Sequence, residues 1–174
     1  VYYKDRLINF TDSRDAMDHG FAMITEERKS TGLFLEGDLT FNTTITNLSH
    51  YKTGIALSTD KMVKATANEI NVMRTKCMGP SDAITNLSGG NQQKVILARW
   101  LAKDPEVLIM DEPTRGIDVG AKDEIYGHLQ KLADQGIAVI VVTSDLQELL
   151  RVSHRILVMR KGDIVKEFKN EVVT

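Results

Sequence analysis

Residues 87–118 constrain the fold more than any other stretch. They run Leu87-Ser88-Gly89-Gly90-Asn91-Gln92-Gln93-Lys94, a helical pattern to Ala102, then Val107-Leu108-Ile109-Met110-Asp111-Glu112-Pro113 and Arg115-Gly116-Ile117-Asp118. The apolar run 107–110 follows Asp104-Pro105, which stops the preceding helix. A short apolar run between two helical patterns reads as a buried parallel strand. Ser88 is a favourable N-cap, and Gly89 and Gly90 keep side chains off the approach, so a helix starts at the glycines. Its first turn leaves backbone N–H groups unpaired at the positive end of the helix dipole, which suits an anion such as phosphate. A glycine-softened helix start with no ligand is the plain alternative.

The carboxylates come at the C-terminal end of the strand, where open α/β sheets place their ligands. Asp111 suits Mg²⁺ held through water, since Mg²⁺ is bound by one or two carboxylates and keeps several waters. Glu112 suits the positioning and polarising of an attacking water. Two solvated acids at a strand end are the plain alternative for this pair.

The rest of the chain alternates strand and helix, the pattern of an α/β fold with a parallel sheet and crossover helices. Residues 1–10 read as edge strands, 14–19 as a short helix ending at Gly20, and 21–25 as an apolar strand. Residues 26–32 read as a polar loop. Asp38 or Thr40 caps a helix over 41–51, and Thr59 caps another over 60–76, with Met62, Thr66, Ile70 and Met73 on one face. Residues 121–135 form an amphipathic helix with Ile125, Leu129 and Leu132 inward, and 137–143 a strand buried on both faces. A short helix over 146–152 precedes two strands joined at Gly162.

A net charge of −2 offers no bulk attraction to nucleic acid. The longest apolar run, 137–142, is too short to span a membrane, and Cys77 stands alone, so no disulfide framework forms. A chain that starts at Val1 inside what reads as a strand is expected to be a fragment of a longer protein.

In this order, the glycine-nucleated helix, Asp-Glu-Pro strand end and Gly-Ile-Asp turn resemble the signature, Walker B and D-loop of the ATP-binding cassette (ABC) family. The Asn91-Gln92-Gln93-Lys94 ending, Asp-Glu-Pro-Thr-Arg-Gly-Ile-Asp-Val-Gly-Ala-Lys and Thr25-Glu26-Glu27-Arg28-Lys29 are similar to the second cassette of tandem ATPase subunits in bacterial importers of ribose, xylose, galactose and methyl-galactoside. The likeness runs over nearly all of the chain. It implies an α/β P-loop NTPase cassette lacking its N-terminal part, with an inserted helical subdomain. The implied division is 1–38 (partial core with the Q-loop), 39–103 (helical subdomain ending in the signature helix) and 104–174 (ATPase core).

The resemblance implies ATP and Mg²⁺ as ligands. Leu87, Ser88, Gly89, Gly90, Asn91, Gln92, Asp118 and Glu26 would contact nucleotide, Asp111 the metal, and Glu112 and Ser144 would be catalytic. The implied partners are the first cassette of the same polypeptide, transmembrane sugar permease subunits and, indirectly, a periplasmic sugar-binding protein. The implied place is the cytoplasmic face of the membrane, with no nucleic acid partner. A cassette of DNA repair or translation, and a catalytically silent regulatory cassette, are the rival readings.

Three departures from the family pattern matter. No G-x-x-x-x-G-K-[ST] occurs, so the phosphate-cradling loop is absent from this sequence. The resemblance would put it upstream of Val1. Most cassettes carry Gln where Glu26 stands, and an ionised carboxylate only accepts hydrogen bonds. Ser144 stands where many cassettes place a His. It can donate a hydrogen bond but cannot carry the charge. His19, His50, His128 and His154 read as surface or packing residues. These departures imply unequal use of two composite sites: residues 87–91 complete the hydrolysing one, while Asp111, Glu112 and Ser144 face one that turns over poorly.

Overall fold

The structure, a computed structural model, describes residues 2–170. Val1, the first of the expected edge-strand residues, and residues 171–174 of the third expected segment lie outside them. The elements are β1 (Tyr2–Tyr3), β2 (Arg6–Leu7), α1 (Ser13–Asp18), β3 (Phe21–Ile24), α2 (Leu39–Thr44), β4 (Lys52–Thr53), β5 (Ala56–Leu57), α3 (Thr59–Val72), α4 (Gly89–Leu101), β6 (Val107–Asp111), α5 (Val119–Asp134), β7 (Ala138–Val142), α6 (Leu146–Val152), β8 (Arg155–Arg160) and β9 (Asp163–Lys169).

Three parallel strands in the order β3-β6-β7 form the central sheet. Val107 lies between Phe21 and Ala138, and Met110 between Ile24 and Val141. β6 is the middle strand, and its Leu108 and Met110 are fully buried, as an apolar run in that place should be. β1 with β2, β4 with β5, and β8 with β9 form separate antiparallel pairs. The β4–β5 hairpin has no counterpart in the sequence reading.

β7 departs from the expectation of burial on both faces. Val139 and Val141 pack on the core, while Ile140 and Val142 are 50% and 53% exposed. Among the described residues, nothing covers the second face.

Between β3 and β6 the chain makes a long excursion through α2, α3 and α4. α4 is its centre: Val95, Ile96, Leu97 and Ala98 join the core, and Gln92, Gln93, Lys94 and Arg99 are buried as well. The expected helix over 41–51 breaks. α2 stops at Thr44 and a 3₁₀ stretch, Ile45–Tyr51, follows with Asn47 out of helical geometry. The break lets side chains serve the end of α4: Thr46 Oγ1 donates to the Arg99 carbonyl (3.2 Å) and Asn47 Nδ2 to that of Ala102 (2.8 Å). Those carbonyls lack helical partners at a C-terminus. α2 is capped by Asp38, and α3 by Ser58 rather than Thr59. The helix expected over 60–76 ends at Val72 with Met73 as its C-cap; of the expected stripe Thr66 and Met73 are buried, Ile70 packs on the core and Met62 is only half-buried. α5 buries Ile125, Leu129 and Leu132.

Candidate functional site

The sheet sets the acidic end of the site. β6 closes at Asp111, opposite Val142, and the next N–H, of Glu112, donates to the Val142 carbonyl at 2.8 Å. Glu112 then takes φ +43°, a left-handed conformation that is strained for a residue with a Cβ. Its side chain lies over the segment after β7. Oε1 accepts from the Ser144 N–H at 2.8 Å and Oε2 from Thr143 Oγ1 at 3.4 Å. Glu112 and Ser144, distant in sequence, are therefore direct neighbours, and the link is the Ser144 backbone rather than its hydroxyl.

The segment beyond Ser144 is tied down twice. Asp145 caps α6, accepting from the Gln147 and Glu148 N–H groups at 2.9 and 3.3 Å. It also pairs with Lys122 at 3.3 Å. The Glu148 N–H first, then Lys122, hold the Asp145 carboxyl below the usual carboxylate range. Buried Glu148 accepts from buried Thr114 Oγ1 at 2.9 Å, linking α6 to the loop after Glu112-Pro113. Thr114 stands in the Asp-Glu-Pro-Thr run without a role of its own in the sequence pattern, and nothing there singles out Glu148.

The glycine end of the site is the start of α4. Ser88 occupies the N-cap position, but its side chain makes no capping bond, contrary to expectation. Its Oγ accepts instead from Asn91 Nδ2 at 2.9 Å, and Asn91 Oδ1 accepts from the Lys76 N–H at 2.9 Å. Leu87 is in the core, and buried Gln92 donates inward to the Ile84 carbonyl at 3.1 Å. Of residues 87–92, Ser88, Gly89 and Asn91 keep accessible surface, while Leu87, Gly90 and Gln92 are buried.

Both glycines stand in close quarters, and Gly90 is a packing requirement because its neighbour is a Cβ that cannot swing away. A Cβ on Gly89 would lie 2.7 Å from Arg28 Nη2, and one on Gly90 would lie 2.4 Å from the Ala121 Cβ. Asp118 accepts from the Ala121 N–H at 3.0 Å and so caps α5. The expected loop 26–32 contains one turn of π-helix, Arg28–Gly32. Glu26 pairs with Arg115, and Arg28 donates to the Arg115 carbonyl at 2.9 Å. The site thus draws together the 26–32 loop, the start of α4 and the loop leading into α5.

Among the described residues, no group of three or more His, Cys, Asp or Glu side chains is placed to hold a metal. Asp111 at the strand end suits only a cation that brings most of its own ligands, as Mg²⁺ does with phosphates and waters. The histidines stand apart from Glu112. His19 Nδ1 contacts the Asp15 carbonyl, His50 meets Tyr51 edge-to-face, and burial pushes half-buried His128 down in pKa.

The ABC transporter family model matches residues 6–115. The galactose/methyl galactoside import ATP-binding protein of Treponema denticola is 52% identical over 159 residues, covering 91% of this chain and 32% of that protein. Its Escherichia coli counterpart is 48% identical over 156 residues, covering 89% and 31%. The chain spans about a third of the length of the curated relatives it matches. A dimeric ATP-binding cassette solved in a post-hydrolysis state with ADP and Pi superposes with TM-score 0.77 at 23% identity, covering 98% of this chain and 72% of that one. A nucleotide-free cassette from an ABC transporter gives TM-score 0.79 at 21% identity, covering 99% and 70%. These likenesses show the fold: a partial ATP-binding cassette of the P-loop NTPase type.

Proposed function

The chain belongs to the ABC transporter family, and from that premise we propose that it is part of the ATP-hydrolysing subunit of a bacterial sugar importer. The observation that carries the reading is the Glu112 carboxylate at the end of the central strand, oriented by Ser144 and Thr143. Galactose or a methyl galactoside is the solute its relatives suggest.

In this reading Ser88, Gly89 and Asn91 face the terminal phosphate of an ATP held by the first cassette of the same polypeptide, while Leu87, Gly90 and Gln92 hold that surface in shape. The free N–H groups at the start of α4 supply the donors. At the other composite site Glu112 positions the water and accepts its proton as the γ-phosphoryl bond to ADP breaks. Ser144 holds Glu112 through its N–H. Asp111 would hold Mg²⁺ through water, and the ion when bound neutralises charge on the β- and γ-phosphates. Glu26 would lie near that ion and Asp118 at the seam between cassettes.

The division into 1–38, 39–103 and 104–174 goes with this reading: β3 and β6 share a sheet, and the helices between them form the inserted part. The further partners are transmembrane permease subunits and a periplasmic sugar-binding protein, and the place is the cytoplasmic face of the membrane. No helix among the described residues is long and apolar enough to cross a membrane. A catalytically silent cassette gains no support, since Glu112 is present and oriented.

Ser144 in place of the family's His makes the two composite sites unequal. In the full-length protein Ser88→Arg should abolish turnover, because a bulky cation blocks the phosphate approach. Glu112→Gln should cost much less. Steady-state ATPase rates of the two variants test this, and equal losses would overturn the asymmetry.

A further inference from the structure

We propose that Arg28 is a positioning residue: it clasps the 26–32 loop, the start of α4 and the loop after Pro113 into one moving unit. Its Nη1 donates to the Arg115 carbonyl at 2.9 Å and its Nη2 to the Gly116 carbonyl at 3.5 Å. The same guanidinium fills the space where a Gly89 side chain would stand, with Nη2 2.7 Å and Cζ 3.2 Å from the position of that Cβ. Gly116 has φ +66°, so its carbonyl is presented from a conformation that glycine adopts without strain. Arg28 Nε is buried with no partner among the described residues, so the two terminal nitrogens alone make the clasp.

Other contacts fasten the loop at both ends. Upstream, Glu26 pairs with the Arg115 side chain. Downstream, a Cβ on Gly32 would lie 2.9 Å from Ile96 Cδ1 of α4, and the Gly32 carbonyl accepts from buried Arg99 Nη1 at 2.6 Å. The turn from Arg28 to Gly32 therefore packs against α4 at Gly89 and Ile96 and is hydrogen-bonded to it at Arg99. A displacement of this loop moves the start of α4 and the loop into α5 together. A forked guanidinium can hold two adjacent carbonyls, and a lysine ammonium cannot reproduce that geometry. The clasp itself is a matter of geometry. What it transmits rests on the importer reading: movement on the permease side reaches the phosphate-facing residues of α4 as one displacement.

The test uses the full-length protein with its permease in proteoliposomes, with galactose as the transported probe. Arg28→Ala should raise the ATP hydrolysed per galactose delivered by roughly fivefold or more, the low end of ordinary coupling between sites. This ratio does not depend on how much of the protein is folded. Arg28→Lys should stay uncoupled, because charge without the fork does not hold both carbonyls. A wild-type ratio in either variant overturns the proposal. Should the wild-type protein hydrolyse ATP without moving galactose, the sugar reading fails and amide exchange decides the clasp. The Gln92 and Ile117 amides, bonded to the Ser88 and Thr114 carbonyls, should then lose protection together in Arg28→Ala. Protection retained at either amide overturns the clasp.

Discussion

Gly90 illustrates how little room α4 leaves at its start. An added methyl group would meet the Ala121 Cβ at 2.4 Å and Ile117 Cγ2 at 3.3 Å. Gly90→Ala should therefore destabilise the protein by about 1–3 kcal/mol through overpacking. Ala121→Gly in the same chain should recover most of that loss. Urea unfolding of the two single variants and the double variant measures the coupling, and additive effects would count against the contact. Single residues are also where sequence legibility is most uneven. Gly89 and Gly90 are legible as the start of a helix, but not as packing partners of Arg28 and Ala121, which come from distant segments. Ser88 is legible as the N-cap but not in its bonding, because its hydroxyl is claimed by Asn91 one turn away. Arg28 is illegible as a clasp because its carbonyl partner lies 87 residues along the chain.

At the scale of elements, α6 depends on one carboxylate. The Asp145 carboxyl is held low by the Glu148 N–H and by Lys122. Its contribution to stability is thus present above the unfolded-state value near pH 3.9 and is lost as pH falls through the lower folded-state value. Asp145→Asn keeps a capping oxygen but not the charge. It should lower stability at neutral pH and flatten the decline below about pH 4, read as the unfolding midpoint against pH. Helices with a clear apolar period, such as α5, are legible with their inward residues. The helix expected over 41–51 is not, because Thr46 and Asn47 leave helical use to serve the end of α4. β7 is legible as a strand but not in its exposure, since an apolar run does not say what lies over each face.

For the whole molecule, the alternation of strand and helix is enough to read a parallel sheet, and the order of motifs is enough to read the family. The fold unites a glycine-nucleated helix and a Walker-type strand end, but the sequence contains no phosphate-cradling loop. This chain by itself should therefore bind Mg·ATP no tighter than about millimolar, near −4 kcal/mol. Calorimetry checks this, and tight Mg²⁺-dependent binding would overturn the half-site reading. The parallel pairing of β3 with β6 across the whole α2–α4 excursion has a consequence for biosynthesis. The apolar strand Phe21–Ile24 leaves the ribosome well before the strand it must lie beside. At about 5–20 residues per second it waits for several seconds with its pairing edge open. Loop closure of this length also slows the pairing itself. During that interval the nascent chain depends on the early folding of α2, α3 and α4 to carry β6 into reach, and until then β3 is a substrate for chaperones.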